Sequence, residues 1–298
     1  MTGNIKYMMD KFIKKSSFDE DLKLMMLHFI DYKSNEGFYF GELTLLHYRM
    51  FNGKRYDIYS VAAALEILIL ASDIMDDLAD KDNISAPWYP LDQSKLLNIT
   101  TGLLFLSKQI LDNVQGKGRR VLDKLFYESI YRSISGQKLD LNNKIKDKQS
   151  YLELIKKKSG SLTALACLMG ASLSSSQNLD IIENYGEKLG IISQLSNDLS
   201  GVKQWDEKSD IRQKKITLPI IYLLSLKEES YIKRYFEGMI IFNELRKIKG
   251  EVVQEMERLG AFSYVHVTLQ VYKNQAIQLV DQLNVCNDYK DRVKNYIY

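Results

Sequence analysis

The chain has 298 residues, 45% of them hydrophobic, with 16 Gly and only 3 Pro. That composition fills a core and excludes collagen-like, low-complexity and linker-rich chains. Forty-one basic residues nearly balance 38 acidic ones, which leaves no nucleic-acid footprint but is compatible with anionic ligands and peripheral membrane contact. Two cysteines, Cys167 and Cys286, are too few for a disulfide framework, and both are expected in the core. Three histidines far apart in sequence give little support to zinc sites or Ser-His-Asp triads. The N-terminus alternates Lys with apolar residues and lacks a signal-peptide core. The longest apolar run, VAAALEILILA, is interrupted by Glu66 and is shorter than the roughly 20 residues of a membrane span. A cytoplasmic protein is expected.

Helical periodicity dominates from end to end. The stretch SVAAALEILILASDIMDDLAD predicts a helix over 60–82, apolar on nearly all sides and therefore central in a bundle. Asp73, Asp76, Asp77 and Asp80 stand at i, i+3, i+4 and i+7 and share one face. Like charges at this spacing repel, and the C-terminal end of a helix disfavours anions. A solvated patch is the ordinary reading of such a cluster, but so apolar a helix is no surface helix. Carboxylates in this setting suit Mg²⁺, which binds through one or two of them plus substrate phosphates.

Further along, APWYP reads as a loop, QGKGRR at 115–120 as an inter-helix turn, and GQKLDL places Gln137 one turn from Asp140. Lys158 precedes a small-residue helix in KKKSGSLTALACLMGA. A lysine there is suited to phosphate as a point charge. SQLSND sets Gln194, Asn197 and Asp198 at i, i+3 and i+4. In TLP, Thr217 predicts a helix cap and Pro219 a first-turn residue. VHVTLQVYKNQAIQLVDQL carries Val265, Leu269, Tyr272, Ala276, Leu279 and Leu283 along one face. One all-α domain over residues 1–298, of about ten or more helices, is the expected architecture.

Taken in order, these stretches resemble the trans-prenyl diphosphate synthases. Asp76-Asp77-Leu78-Ala79-Asp80 is similar to that family's Asp-Asp-x-x-Asp motif, and Glu66 stands ten positions before it, as in the family. GQKLDL, Lys158-Ser159, QLSND and DIRQKKITLP resemble the segments that follow. The resemblance implies an isoprenoid-synthase helical bundle with a central active-site cavity. An allylic prenyl diphosphate would be held by Mg²⁺ between two acidic helices. It implies metal ligation by Asp73, Asp76, Asp77, Asp80, Asn197 and Asp198, and diphosphate binding by Lys54, Arg55, Gln137, Lys158, Gln194 and Lys215. The catalytic set it implies is Asp76, Asp77, Lys158 and Asp198. A homodimer is implied as well.

The departures narrow the activity. The family's basic stretch for isopentenyl diphosphate reads NGKRYDI here, with Asp57 in place of an Arg. Ile69 stands where the family has His or Gln, and the loop after the aspartate motif lacks the paired Arg. Gly201 replaces the last Asp of the second motif. The donor side of the site looks kept, and the acceptor-diphosphate side dismantled. This pattern resembles the pheromone-modifying isoprenyltransferases of bacilli, the ComQ family. These attach a geranyl or farnesyl group to a tryptophan of a peptide pheromone precursor in quorum sensing and competence. A chain-elongating synthase, a terpene cyclase and a non-catalytic synthase subunit are the competing readings.

Overall fold

A computed structural model describes residues 2–54, 57–80, 83–115, 118–205 and 210–298. The described residues form fifteen α-helices and one π-helical turn joined by turns and loops, with no strand among them. In chain order they are α1 (Thr2–Lys15), α2 (Glu20–Glu36), α3 (Tyr39–Met50), α4 (Ile58–Asp80), α5 (Gln93–Asp112), α6 (Gly118–Leu141) and α7 (Lys148–Ile155). The π-turn (Lys156–Gly160) leads into α8 (Ser161–Ser172) and α9 (Leu179–Gly201). Then come α10 (Leu218–Ser225), α11 (Tyr231–Phe236), α12 (Phe242–Lys247), α13 (Lys249–Arg258), α14 (Ala261–Asp281) and α15 (Asn287–Lys294). The chain divides into two compact units. One comprises residues 1–129, 163–183 and 282–293, the other 130–162, 184–281 and 294–298.

In the first unit α4 is the central element, packed against α1, α3 and α5. Every residue from Val61 to Ala71 is buried, as expected of a helix apolar on all sides. The helix has 23 residues and a mean hydropathy of 1.8 over its most apolar window, so by length and composition it would cross a membrane. However, 72% of that window is buried inside the protein, which marks a core helix. Glu66 interrupts the apolar run without breaking the helix, because its carboxylate accepts the Gly41 N–H at 2.5 Å. Side-chain caps start α2 and α7: Asp19 accepts from the Leu22 N–H and Asp147 from the Ser150 N–H, at 2.9 and 2.8 Å.

In the second unit α14 packs against α10 and α13. Its stripe buries Val265, Leu269 and Ala276, with Leu283 just beyond the helix end. Tyr272 and Leu279 are only half-buried, and Val280 takes the inner position beside Leu279. Two local expectations are corrected. Thr217 occupies the N-cap of α10 with Pro219 in the first turn, but its hydroxyl makes no capping bond and is buried without a hydrogen-bond partner. Cys167 lies in the core as expected, whereas Cys286 is exposed, in the short connection between α14 and α15. Of the turn expected at 115–120, residues 116 and 117 fall outside the description, and α6 begins at Gly118.

Candidate active site

Asp73, Asp76, Asp77 and Asp80 line one face of the last two turns of α4, as their spacing requires. All four are half-buried. Two of them are held by named protein groups. Lys33 of α2 reaches Asp73 Oδ2 with its Nζ at 2.7 Å. Burial would lower the Lys33 pKa, but the Asp73 charge and hydrogen bond outweigh it, and the lysine is held firmly protonated. Asp77 Oδ2 accepts from two neutral donors of the following loop, Asn83 Nδ2 at 2.7 Å and the Trp88 indole Nε1 at 2.8 Å. Lys54 is exposed in the connection after α3, and Arg55 lies outside the described residues. Ile69 is 2% exposed, and an aliphatic side chain there donates nothing to a diphosphate. Glu66 is fully buried, and burial pushes its carboxyl up to about 8 against the opposing Gly41 hydrogen bond.

The second unit carries the other set. Asp140 of α6 holds Lys158 Nζ at 2.6 Å. Lys158 sits in the π-turn, a widened helical turn of the kind that recurs at functional sites. Its carbonyl accepts from the Ser133 hydroxyl at 3.1 Å. Gly136 makes this approach possible: a Cβ there would collide with the Lys158 backbone nitrogen. Gln137 lies one residue on and is half-buried.

On α9, Asp198 is 1% exposed. Its Oδ2 accepts from the Tyr151 hydroxyl at 2.5 Å and its Oδ1 from Gln194 Nε2 at 3.2 Å. Gln194 Oε1 accepts in turn from the Ser159 hydroxyl. Burial pushes Asp198 up to about 7, with the Tyr151 and Gln194 bonds pulling the other way. Asn197, next in line, is exposed, so the helix brings Gln194 and Asp198 together and leaves Asn197 apart. Lys215 is half-buried, with its backbone N–H bonded to the Asp210 carbonyl at 2.9 Å.

Sequence reasoning missed Lys33, Trp88, Tyr151 and Asp210. Asp210 is the most instructive of these. Gly201 had marked a lost carboxylate, yet a Cβ at Gly201 would run into the Asp210 carboxylate. An acid from the following segment stands where the side chain of residue 201 would be. The substitution Gly201→Asp, which restores the family pattern, should therefore lower both Tm and turnover. The Asp210 carboxylate would have to swing aside, and two like charges would then sit together. Thermal unfolding and turnover of the variant check this, and a gain in activity would refute it.

The donor set can be tested against a divalent metal. Among the described residues no three His, Cys, Asp or Glu side chains group closely enough to hold an ion alone. The carboxylates of α4 instead fit a hard cation whose shell is completed by phosphate oxygens. The described surface also carries a groove of about 370 Å³ lined by Lys148, Leu152, Lys156, Ile191 and Tyr272 among others. None of the candidate metal, diphosphate or catalytic residues lines it, and of the residues named from the sequence only Tyr272 of the α14 stripe does.

The family model for polyprenyl synthetases matches residues 40–256. The chain belongs to the polyprenyl synthetase family. Within that family it is similar to the tryptophan prenyltransferase ComQ of Bacillus subtilis strain 168, at 32% identity over 96% of this chain and 95% of that one. Among solved structures, a geranylgeranyl pyrophosphate synthase superposes with a TM-score of 0.87 at 18% identity, covering 100% of this chain and 97% of that one. The geranylgeranyl pyrophosphate synthase of Corynebacterium glutamicum, complexed with calcium and isoprenyl diphosphate, superposes at 0.79 with 18% identity, over 99% and 94% of the two chains. The fold of this chain is thus the isoprenoid-synthase helical fold that its sequence resembles.

Proposed function

We propose that this protein moves a farnesyl or geranyl group from its allylic diphosphate to a tryptophan of a peptide pheromone precursor. The observation that carries the reading is its likeness to a tryptophan prenyltransferase along nearly the whole chain. The acceptor side agrees. Ile69 is buried where a diphosphate-binding donor would be needed, and the loop after the aspartate motif, which lacks the paired Arg of chain-elongating synthases, offers Asn83 and Trp88 to Asp77. With no second diphosphate to bind, an electron-rich indole is the nucleophile that suits an allylic cation.

The family works with divalent metal ions, and Mg²⁺ is the ion proposed here. Bound Mg²⁺ would offset the negative charge that grows on the departing diphosphate. Asp76, Asp77 and Asp80 are the carboxylates proposed to hold it on α4, with Asp73 a weaker candidate because Lys33 already engages it. Asp198 and Asn197 are proposed helpers. Lys158, aimed by Asp140, contacts diphosphate oxygens, as do Lys215, Gln137 and Gln194. Lys54 and Arg55 take part from the connection before α4. As the C–O bond opens, the apolar body of α4 keeps water from the cation. The indole carbon then forms the new C–C bond, and the indole product sheds a proton to regain a neutral ring system. Ala71 and Ser72, five and four positions before Asp76, are small, which leaves room for farnesyl as well as geranyl.

The protein is proposed to work in the cytoplasm, with peripheral membrane contact through its amphiphilic donor, and as a homodimer. On α5, Leu97 and Phe105 are 49% and 73% exposed on one face, an apolar pair that a second copy would cover.

The test is a mass-spectrometric assay with Mg²⁺, farnesyl or geranyl diphosphate, and either isopentenyl diphosphate or a tryptophan-containing precursor peptide. The expected result is a peptide heavier by one prenyl group, no product when its tryptophan is replaced by Phe, and no elongated diphosphate. Elongation without peptide modification would overturn the reading.

A further inference from the structure

The loop that follows the aspartate motif is built around one side chain. Trp88 is 3% exposed. Its ring meets Phe29 and Tyr32 of α2 edge-to-face, at centroid distances of 5.4 and 5.3 Å, a favoured geometry for aromatic pairs. Backbone bonds from Ala86 N to Asn83 O, from Tyr89 N to Ala86 O and from Leu91 N to Trp88 O wind the loop tightly on either side. Pro87 and Pro90 restrict it further. The indole therefore has almost no freedom, and its one polar atom is spent on Asp77 Oδ2 at 2.8 Å.

A buried indole N–H needs a partner. Here the partner is a carboxylate of the aspartate motif, 11 residues away in the chain. Asn83 donates to the same oxygen. These two donors are neutral, and each orients the carboxylate without itself cancelling charge as a lysine or arginine would. That is the arrangement by which outer hydrogen bonds aim a metal-ligating carboxylate.

We propose that Trp88 is a positioning residue for the prenyl-transfer reaction, holding Asp77 in the orientation that receives the metal–diphosphate. This rests on the reading of Asp77 given under Proposed function. Trp88→Phe keeps one aromatic ring against Phe29 and Tyr32 and removes the N–H donor together with the second ring of the indole. The Mg²⁺ concentration for half-maximal turnover should rise about tenfold, in line with the loss of an outer-sphere partner. Turnover at saturating Mg²⁺ should stay within about twofold, while Tm falls modestly because the smaller ring leaves part of a buried site unfilled.

A second readout needs no turnover. The chain has two tryptophans, so Trp205→Phe leaves Trp88 as the sole indole fluorophore. In that protein, Mn²⁺ with inorganic diphosphate should quench the Trp88 emission, Mg²⁺ with inorganic diphosphate should not, and Asp77→Ala should abolish the quenching. An unchanged Mg²⁺ requirement in Trp88→Phe, with Asp77→Ala inactive, would show that Trp88 merely packs and would overturn the proposal alone. Normal turnover and normal Mn²⁺ quenching in Asp77→Ala would overturn the metal-site reading itself. Should Trp88→Phe fail to fold, the quenching in the single-tryptophan protein decides: its absence refutes the placement.

Discussion

Replacing Asp76 by Ala should lower prenyl transfer by about 10²–10³-fold, the usual cost of removing one group that stabilises charge on a leaving or attacking oxygen. The fold should survive, because Asp76 is half-buried at the end of α4 and Ala is the better helix former. Asp73 provides the contrast on the same face. Its carboxylate is engaged by Lys33, whose side chain is only 14% exposed. Asp73→Ala would leave that ammonium buried beside Glu36 as its remaining ion-pair partner. It should cost about 1–3 kcal/mol of stability, a fraction of the penalty for breaking a fully buried pair. Its loss of turnover should be smaller than that of Asp76→Ala. Steady-state kinetics and thermal unfolding of the two variants separate the roles. If Asp76→Ala kept near-normal turnover, α4 would not be the metal-bearing helix.

That contrast also shows what could be read from residues alone. The i, i+3, i+4, i+7 spacing of four Asp on an apolar helix was enough to place them on one face, and α4 runs over Ile58–Asp80 much as its periodicity requires. Periodicity is a local property, and local properties are legible. The partners of those carboxylates were not. Lys33 lies 40 residues before Asp73, and Tyr151 lies 47 before Asp198. Such pairings arise from packing between helices, which no spacing rule encodes. Asp210 was hidden differently. Its segment, DIRQKKITLP, was read for Lys215, and only the collision at Gly201 reveals what its carboxylate replaces. Cys286 was misread because an apolar neighbourhood in sequence says little where a helix has just ended.

Glu66→Gln should abolish a pH dependence of stability that the wild-type core carries. Glu66 is fully buried on α4, and burial raises its carboxyl from 4.5 to about 8, more than the Gly41 N–H and the Lys33 charge lower it. Asp73 adds a smaller upward push. Between those two values the unfolded chain releases a proton that the folded chain keeps. The unfolded state then binds fewer protons, so stability falls as pH rises, by up to about 1.4 kcal/mol per pH unit. Below about 4.5 the contribution is nil, and above about 8 the loss is complete. Gln keeps the shape, and its carbonyl oxygen still accepts the Gly41 N–H. Its amide replaces Oε2, which has no hydrogen-bond partner. Relative to wild type, the variant should gain stability steadily from pH 5 to pH 8. Urea midpoints of both proteins across that range check this, and parallel curves would refute it. Taking the difference cancels the other buried groups. His47, lowered to about 4 by burial, works in the opposite sense, and Asp198, raised to about 7, in the same sense. This carboxyl makes stability fall toward neutral pH, and it stands seven residues, two helical turns, before Asp73. Keeping a group at a cost to stability is the pattern expected where a residue serves a site and not the fold.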